Sequence, residues 1–330
     1  MLSRVAESLY WMSRHIERAE NIARVVNVNA NIQLDLPQGV APDWKPLIDV
    51  SGANELFEKR HRDYGERQVI RFLLGDRESP SSVHSCIRNA RECCRTVRDI
   101  LPREAWQYLT ELQLHIDENL NMGVTKRCRH GFLGRIIRTC QMMMGLLGSV
   151  MTRDVGYQFL RLGRNLERAD MTTRFLDLRL SVPDSDRLSD LASLETVQWV
   201  NILGSLSAYH MYRRKMQAQV QREHVLWFLL KDDEFPRSFM HCLNAVEESL
   251  GGLENNHPCL VVVRKIVKDF EQTRVEALAP KSLVKVVDRL QCGLMDLHET
   301  VARMYFLPPP VTPARKPASV KPGKRTKKSG

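Results

Sequence analysis

Residues 1–26, MLSRVAESLYWMSRHIERAENIARVV, recur in altered form as MTRDVGYQFLRLGRNLERADMTTRFL at residues 151–176. A repeat of this kind constrains architecture before any local pattern does. At the offset of 150, Met1/Met151, Val5/Val155, Arg14/Arg164, Glu17/Glu167, Arg18/Arg168, Ala19/Ala169 and Arg24/Arg174 are identical. Leu9/Phe159, Met12/Leu162, Ile16/Leu166, Glu20/Asp170 and Val26/Leu176 keep their chemical character. A second block follows in the same order at an offset of 156, pairing VIRFLLGDRESPSSVHSCI with VLWFLLKDDEFPRSFMHCL. Between the two, Trp44/Trp199, Ala53/Ala208 and Phe57/Tyr212 align at an offset of 155. Convergence can produce one such block, whereas three in one order point to duplication and fusion. The expected organisation is a first helical half over residues 1–150 and a second over 151–307, related by a pseudo-two-fold axis.

Local patterning is helical nearly throughout. Met12, Ile16, Ala19, Ala23 and Val26 recur at three- and four-residue spacing, with Arg14, Glu17, Glu20, Asn21 and Arg24 on the opposite side. Ser79-Pro80-Ser81-Ser82 and Phe235-Pro236-Arg237-Ser238 read as helix starts, with proline in the first turn and serine capping free amides. Leu36-Pro37-Gln38-Gly39 and Pro183-Asp184-Ser185-Asp186 read as breakers at corresponding places. No run of alternating strand pattern appears. The fold class expected is all-α, an antiparallel helical bundle built from an internally duplicated unit.

The net charge of +10 suggests nucleic acid until it is located. Residues 308–330 hold seven basic residues and no acid, so 10 − 7 leaves a body of +3. That stretch also carries six of the fifteen prolines and no aromatic residue, and reads as a disordered basic tail. It lacks stacking residues and a recognition helix, so no specific nucleic-acid partner is expected. The first residues carry charge within every apolar stretch, and the most apolar window, 142–151, is about half the length of a span. No membrane insertion is expected, and the location expected is the cytoplasm. The eight cysteines form no CxxC pair and no recurrent ligand spacing, and read as mostly reduced core thiols.

The charged residues repeat with the fold. Arg14, Glu17, Arg18, Glu20 and Arg24 share one side of their helix, and Arg164, Glu167, Arg168, Asp170 and Arg174 repeat them. On an exposed helix such neighbours contribute only about 0.2–0.5 kcal/mol per pair, and the plainest account is a solvated face. A solvated face needs charge but not the same charge at each position. The repeat favours two helices near the pseudo-two-fold, with Glu17 and Glu167 held by arginines in a partly buried network. Three roles follow from that arrangement: structural registration, a cleft for a charged ligand, or catalysis. Surrounding arginines lower a glutamate pKa, whereas acid catalysis needs it raised, which favours structure or binding.

MLSRVAESLYWMSRHIERAENIAR, the later LGRNLERAD, the doubled FLLxDxxxPxS and SAYHMYRRK together resemble the alpha-E family, a bacterial all-helical family named for its Glu-Arg motif. The resemblance covers essentially residues 1–307. Where the family favours Gly-Arg-Tyr before the first Glu-Arg, this chain has Ser13-Arg14-His15, which keeps the polar face and changes its neighbours. The resemblance implies a genomic setting: circularly permuted ATP-grasp ligase-like proteins, adjacent or fused, and nearby transglutaminase-like peptidases. It implies a non-catalytic accessory or binding subunit of an ATP-grasp-linked peptide synthesis or modification system. The alternative is an enzyme with an unrecognised carboxylate and arginine site acting on a peptide or other charged substrate.

Other constellations carry less. Glu58-Lys59-Arg60-His61 and Glu254-Asn255-Asn256-His257 have the Glu-x-x-His spacing of di-iron bundles but stand at non-equivalent places in the halves. Gly131-Phe132-Leu133-Gly134-Arg135 is too sparse for a phosphate loop. Tyr209, Tyr212, Arg213, Arg214 and Lys215 read as packing rings with snorkelling bases. No metal site and no cofactor are expected.

Overall fold

A computed structural model describes residues 1–32, 43–180 and 192–307. The two breaker segments and the basic tail lie outside these residues. The described residues form helices and connecting turns, with no strand among them.

The first long helix, α1 (Ser3–Ile32), is followed by the short α2 (Lys45–Ser51), α3 (Asn54–Glu58) and α4 (Glu66–Gly75), then by α5 (Val83–Thr96), α6 (Arg103–Val124) and α7 (Lys126–Val150). A second series follows in the same order. Its long helix is α8 (Val155–Leu180), its shorter members are α9 (Ala192–Ser205), α10 (Tyr209–Met216) and α11 (Arg222–Leu230), and it closes with α12 (Phe239–Gly251), α13 (His257–Glu271) and α14 (Pro280–Val301). A five-residue π-helical turn, Ala302–Phe306, ends it.

Contacts between these elements arrange α1, α5, α6 and α7 as one four-helix bundle and α8, α12, α13 and α14 as another. Within each bundle the long helix runs antiparallel to its neighbours. Arg18 lies beside Cys86 and Glu7 beside Cys93, while Arg161 reaches Glu248 and Gln158 reaches Gly252. Across the seam, α1 and α8 run in the same direction: Tyr10 faces Gly163, and Arg14 faces Glu167. The short helices cross over, α2 packing on α8 and α9 on α1.

The apolar stripe read from the sequence is core: Leu9, Met12, Ile16, Ala19, Ala23 and Val26 are fully or nearly fully buried, and so are Phe159, Leu162, Leu166 and Leu176. Burying one such Leu, Ile or Phe contributes about 1.5–3 kcal/mol. The aligned aromatic pair Phe57 and Tyr212 is buried on both sides, as is Trp199, with Trp44 nearly so. Cys86 and Cys242 are buried core thiols.

The FLLxDxxxPxS block is a built turn. Ser82 and Ser238 cap α5 and α12, accepting from the amides of Ser85 and His241 at 3.1 Å each, as their sequence position predicts. Their hydroxyls also donate to the carbonyls of Asp76 and Asp232. The Asp76 carboxylate accepts from the amides of Glu78 and Ser79, and that of Asp232 from Glu234 and Phe235. Arg60 and Lys215 then bind the two acids of each turn. The prolines stand ahead of the cap rather than in the first helical turn. Their carbonyls accept from the thiols of Cys86 and Cys242, at 3.5 and 3.6 Å.

Candidate functional site: a buried carboxylate and arginine network on the α1–α8 seam

Close approach of the two long helices begins at Gly163. A Cβ there would stand 2.3 Å from the Tyr10 carbonyl oxygen and 2.5 Å from Ser13 Oγ. Glycine is what lets the backbones touch, and one turn further along the motif residues face each other. Both central glutamates are fully buried, each 0 % exposed.

Glu167 is held by two arginines of α1. Arg14 donates from Nε at 2.7 Å, and Arg18 donates from Nε and Nη2 at 2.5 and 2.9 Å. The i, i+4 spacing of Arg14 and Arg18 places both on one carboxylate, a charge-assisted geometry. Glu17 is held in return by Arg168 of α8 at 3.0 Å and by Arg237 at 2.6 Å. These are close ion pairs without the aligned hydrogen bonds that Glu167 receives. Arg237 further donates to Asn21 at 2.9 Å and to Glu20 at 3.0 Å. Glu20 also accepts both Nε and Nη2 of Arg24, and Asp170 accepts Nε of Arg174 at 2.9 Å. Thus the structure gathers nine of the ten sequence-predicted residues into ion pairs. The tenth, Arg164, has a buried Nε with no partner and lies near the charge of Glu17.

Two participants were not singled out from the sequence. Arg237 is one; its only sequence signal is that it stands where the first block has Ser81, one of several positions at which the two blocks differ. Tyr10 is the other, accepting from Arg14 Nη1 at 3.0 Å and sharing a 2.8 Å hydrogen bond with Nδ1 of His298, 288 residues away.

Burial pushes the Glu167 carboxyl up, but the Arg18 and Arg14 guanidinium groups outweigh it and bring it down to about 2. Glu17 is also held below its ordinary value: burial opposes this, and Arg168, Arg237 and Arg164 prevail. Burial brings His15 and His298 down to about 4 and raises the Cys86 and Cys242 thiols to about 12. The interior therefore holds fixed charges. Its carboxylates are poor proton donors and its thiols poor nucleophiles near neutrality.

A pH dependence follows. A histidine whose folded pKa is depressed favours the folded chain above its unfolded value, and that contribution is lost as pH falls from about 6.5 through about 4. Glu167 contributes fully above about 4.5 and loses its contribution as pH falls through about 2. Melting temperature against pH is expected to fall in two stages. His298→Phe should reduce the upper stage, leaving the share of His15, and Glu167→Gln should reduce the lower, leaving that of Glu17. A single stage unaffected by either substitution would contradict this assignment.

Beside the network opens a cleft of about 190 Å³, lined among others by Arg18, Ser81, Asp170 and Arg174. Several of the other sequence candidates have partners of their own, while Arg213, Arg214, Glu254 and His257 are exposed. Glu58 accepts from Tyr64 while the His61 ring lies tilted against Phe57, Tyr212 is buried, and Lys215 binds Asp232 and Glu234. No helix among the described residues is long and apolar enough to cross a membrane.

An uncharacterized protein of Mycobacterium bovis is 22% identical to this chain over 313 residues, covering 89% of the chain and 34% of its own length. Two uncharacterized proteins of Mycobacterium tuberculosis match over the same shares at 22% and 21% identity. The chain thus spans about a third of the length of these relatives. No solved structure matches it. A family model described as a predicted alpha-helical domain with a conserved ER motif matches residues 1–306, and the Glu-Arg pairs at 17–18 and 167–168 are the ones that interlock on the seam; the chain belongs to the Alpha-E family.

Proposed function

We propose that the chain is a non-catalytic binding and registering domain of a bacterial, cytoplasmic peptide-synthesis or peptide-modification system, in which a circularly permuted ATP-grasp protein supplies the ligase chemistry. A transglutaminase-like peptidase is a further partner in this reading. The observation that carries it is the pair of glutamates locked in the ionised state by arginines of both halves. Such a network fixes the geometry of two bundles and exchanges no protons. The mycobacterial relatives, in which a matching stretch occupies 34% of a longer chain, support a domain that works joined to other parts. The reciprocal ion pairs and the doubled capping turn support an origin by internal duplication, with halves meeting near residue 150.

Co-purification with an ATP-grasp protein encoded beside the gene tests this. Association is expected for the wild-type chain and for Glu66→Gln, whose carboxylate pairs with Lys126 and Arg129 away from the seam. Glu17→Gln and Glu167→Gln are expected to weaken it more than Glu66→Gln does. Turnover of a peptide substrate by the purified chain alone, or no association in any form, would overturn the reading.

A further inference from the structure

The two sides of the network are not closed alike. Arg237 and Ser81 correspond at the offset of 156, and each directly precedes the serine that caps the next helix. On one side Arg237, a residue 8% exposed, sets its guanidinium over Glu17, Glu20 and Asn21. On the other side the corresponding acids are Glu167 and Asp170, and the side chain stops at the Ser81 hydroxyl. Where an arginine would lie there is the 190 Å³ cleft. It is smaller than the roughly 300–1,000 Å³ of pockets for drug-sized ligands. The scale is that of an amino acid or a peptide end.

Its walls carry both signs of charge. Arg18, Arg174 and Asp170 line it, and with Arg14 and Glu167 of the adjoining network they make three arginines facing two acids. Arg18 spends Nε and Nη2 on Glu167, and Arg174 spends Nε on Asp170 and Nη1 on the Val50 carbonyl at 3.4 Å. One nitrogen of each guanidinium remains for a ligand. Asp170 engages Arg174 through Oδ2, which leaves Oδ1 as an acceptor. Gly52, with φ of +67°, borders the cleft, and a Cβ there would press on Arg174 Nη1 at 3.1 Å. The glycine keeps that guanidinium in place.

The geometry points to a binding site for a small zwitterion, an amino acid or the terminus of a short peptide. Its ammonium group sits against Asp170 as Arg237 sits against Glu20, and its carboxylate meets the surplus charge of Arg18 and Arg174. Both ends make charge-assisted hydrogen bonds in a partly desolvated place, where such bonds are strong. The inference rests on the reading of the chain as a binding domain of a peptide system, and names the ligand class of that domain.

Calorimetric titration of the full chain at low ionic strength tests it, with glycylglycine as probe and acetate and methylammonium as its two half-ligands. Glycylglycine is expected to bind at least about tenfold more tightly than either half-ligand. Ser81→Arg is expected to lose at least about tenfold in glycylglycine affinity with its melting temperature held or raised, because the same turn already carries arginine at position 237. Asp170→Asn is expected to remove the preference for glycylglycine over acetate. Acetate binding as tightly as glycylglycine, no glycylglycine binding, or wild-type affinity in Ser81→Arg would each overturn the site. Co-purification with the ATP-grasp protein, run on the same samples, separates the two claims. If association persists without glycylglycine binding, the site falls and the domain reading stands; if glycylglycine binds but the wild-type chain fails to associate, the reverse holds.

Discussion

Gly163→Ala is expected to destabilise the protein by about 3 kcal/mol, and Gly163→Val by more. Replacing a mid-helix glycine by alanine ordinarily stabilises by about 0.5–1 kcal/mol through propensity. Here the new methyl would stand 2.3 Å from the Tyr10 carbonyl oxygen and 3.0 Å from its carbon, and a backbone group held within α1 cannot swing aside as a flexible side chain would. Overpacking costs about 1–3 kcal/mol and more when backbone must shift, so it outweighs the propensity gain. Gly145→Ala is the control. It also lies within a helix, but nothing stands within 4 Å of its added Cβ, so a gain of about 0.5–1 kcal/mol is expected. Urea denaturation of the three variants decides the matter, and a Gly163→Ala midpoint at or above wild type would remove the close approach as a determinant of the seam.

Glu167→Gln is expected to cost about 3–5 kcal/mol, the range for removing one partner from a buried ion pair. Three hydrogen bonds from Arg14 and Arg18 converge on a carboxylate with no exposure, so neutralising it leaves two desolvated guanidinium groups facing an amide. Glu78→Gln is the comparison. Its side chain is 74% exposed, and its pair with Arg60 belongs to the class of surface bridges contributing about 0–1 kcal/mol. The readout is the denaturant midpoint with the slope held constant. Equal midpoints for the two variants would return the Glu-Arg motif to an ordinary solvated face.

Much of this was legible in the sequence and some was not, for reasons that lie in the residues. The helical class and the caps at Ser82 and Ser238 follow from local spacing and turn chemistry, which act within a few residues. The matching charges at 17–18 and 167–168 marked the residues that meet. Their complete burial was harder to see, because a helix with an apolar stripe and a charged face reads as half-exposed. α1 is instead surrounded by α5, α7, α8 and α9, so its charged face is interior too. The parallel course of α1 and α8 has no local signature, since it is fixed by what packs on their far sides. The contacts of Arg237 with Glu17 and of Tyr10 with His298 join residues more than 200 apart, which one chain read alone does not pair. The prolines of the capping turn stand ahead of the helix rather than in its first turn because the aspartate before them, rather than the proline, organises that corner.

The crossed pairing on the seam sets a condition on how the protein is made. Arg14 and Arg18 leave the ribosome about 150 residues before the Glu167 that neutralises them, and Glu17 emerges some 220 residues before Arg237. At about 5–20 residues per second the nascent first bundle waits on the order of ten seconds or more with its charged face unanswered. During that interval water must solvate the surface that later becomes the dry centre of the molecule. Final closure of the first bundle is thereby deferred to the arrival of α8, and severed halves mixed in a tube should find each other by charge before their apolar surfaces meet.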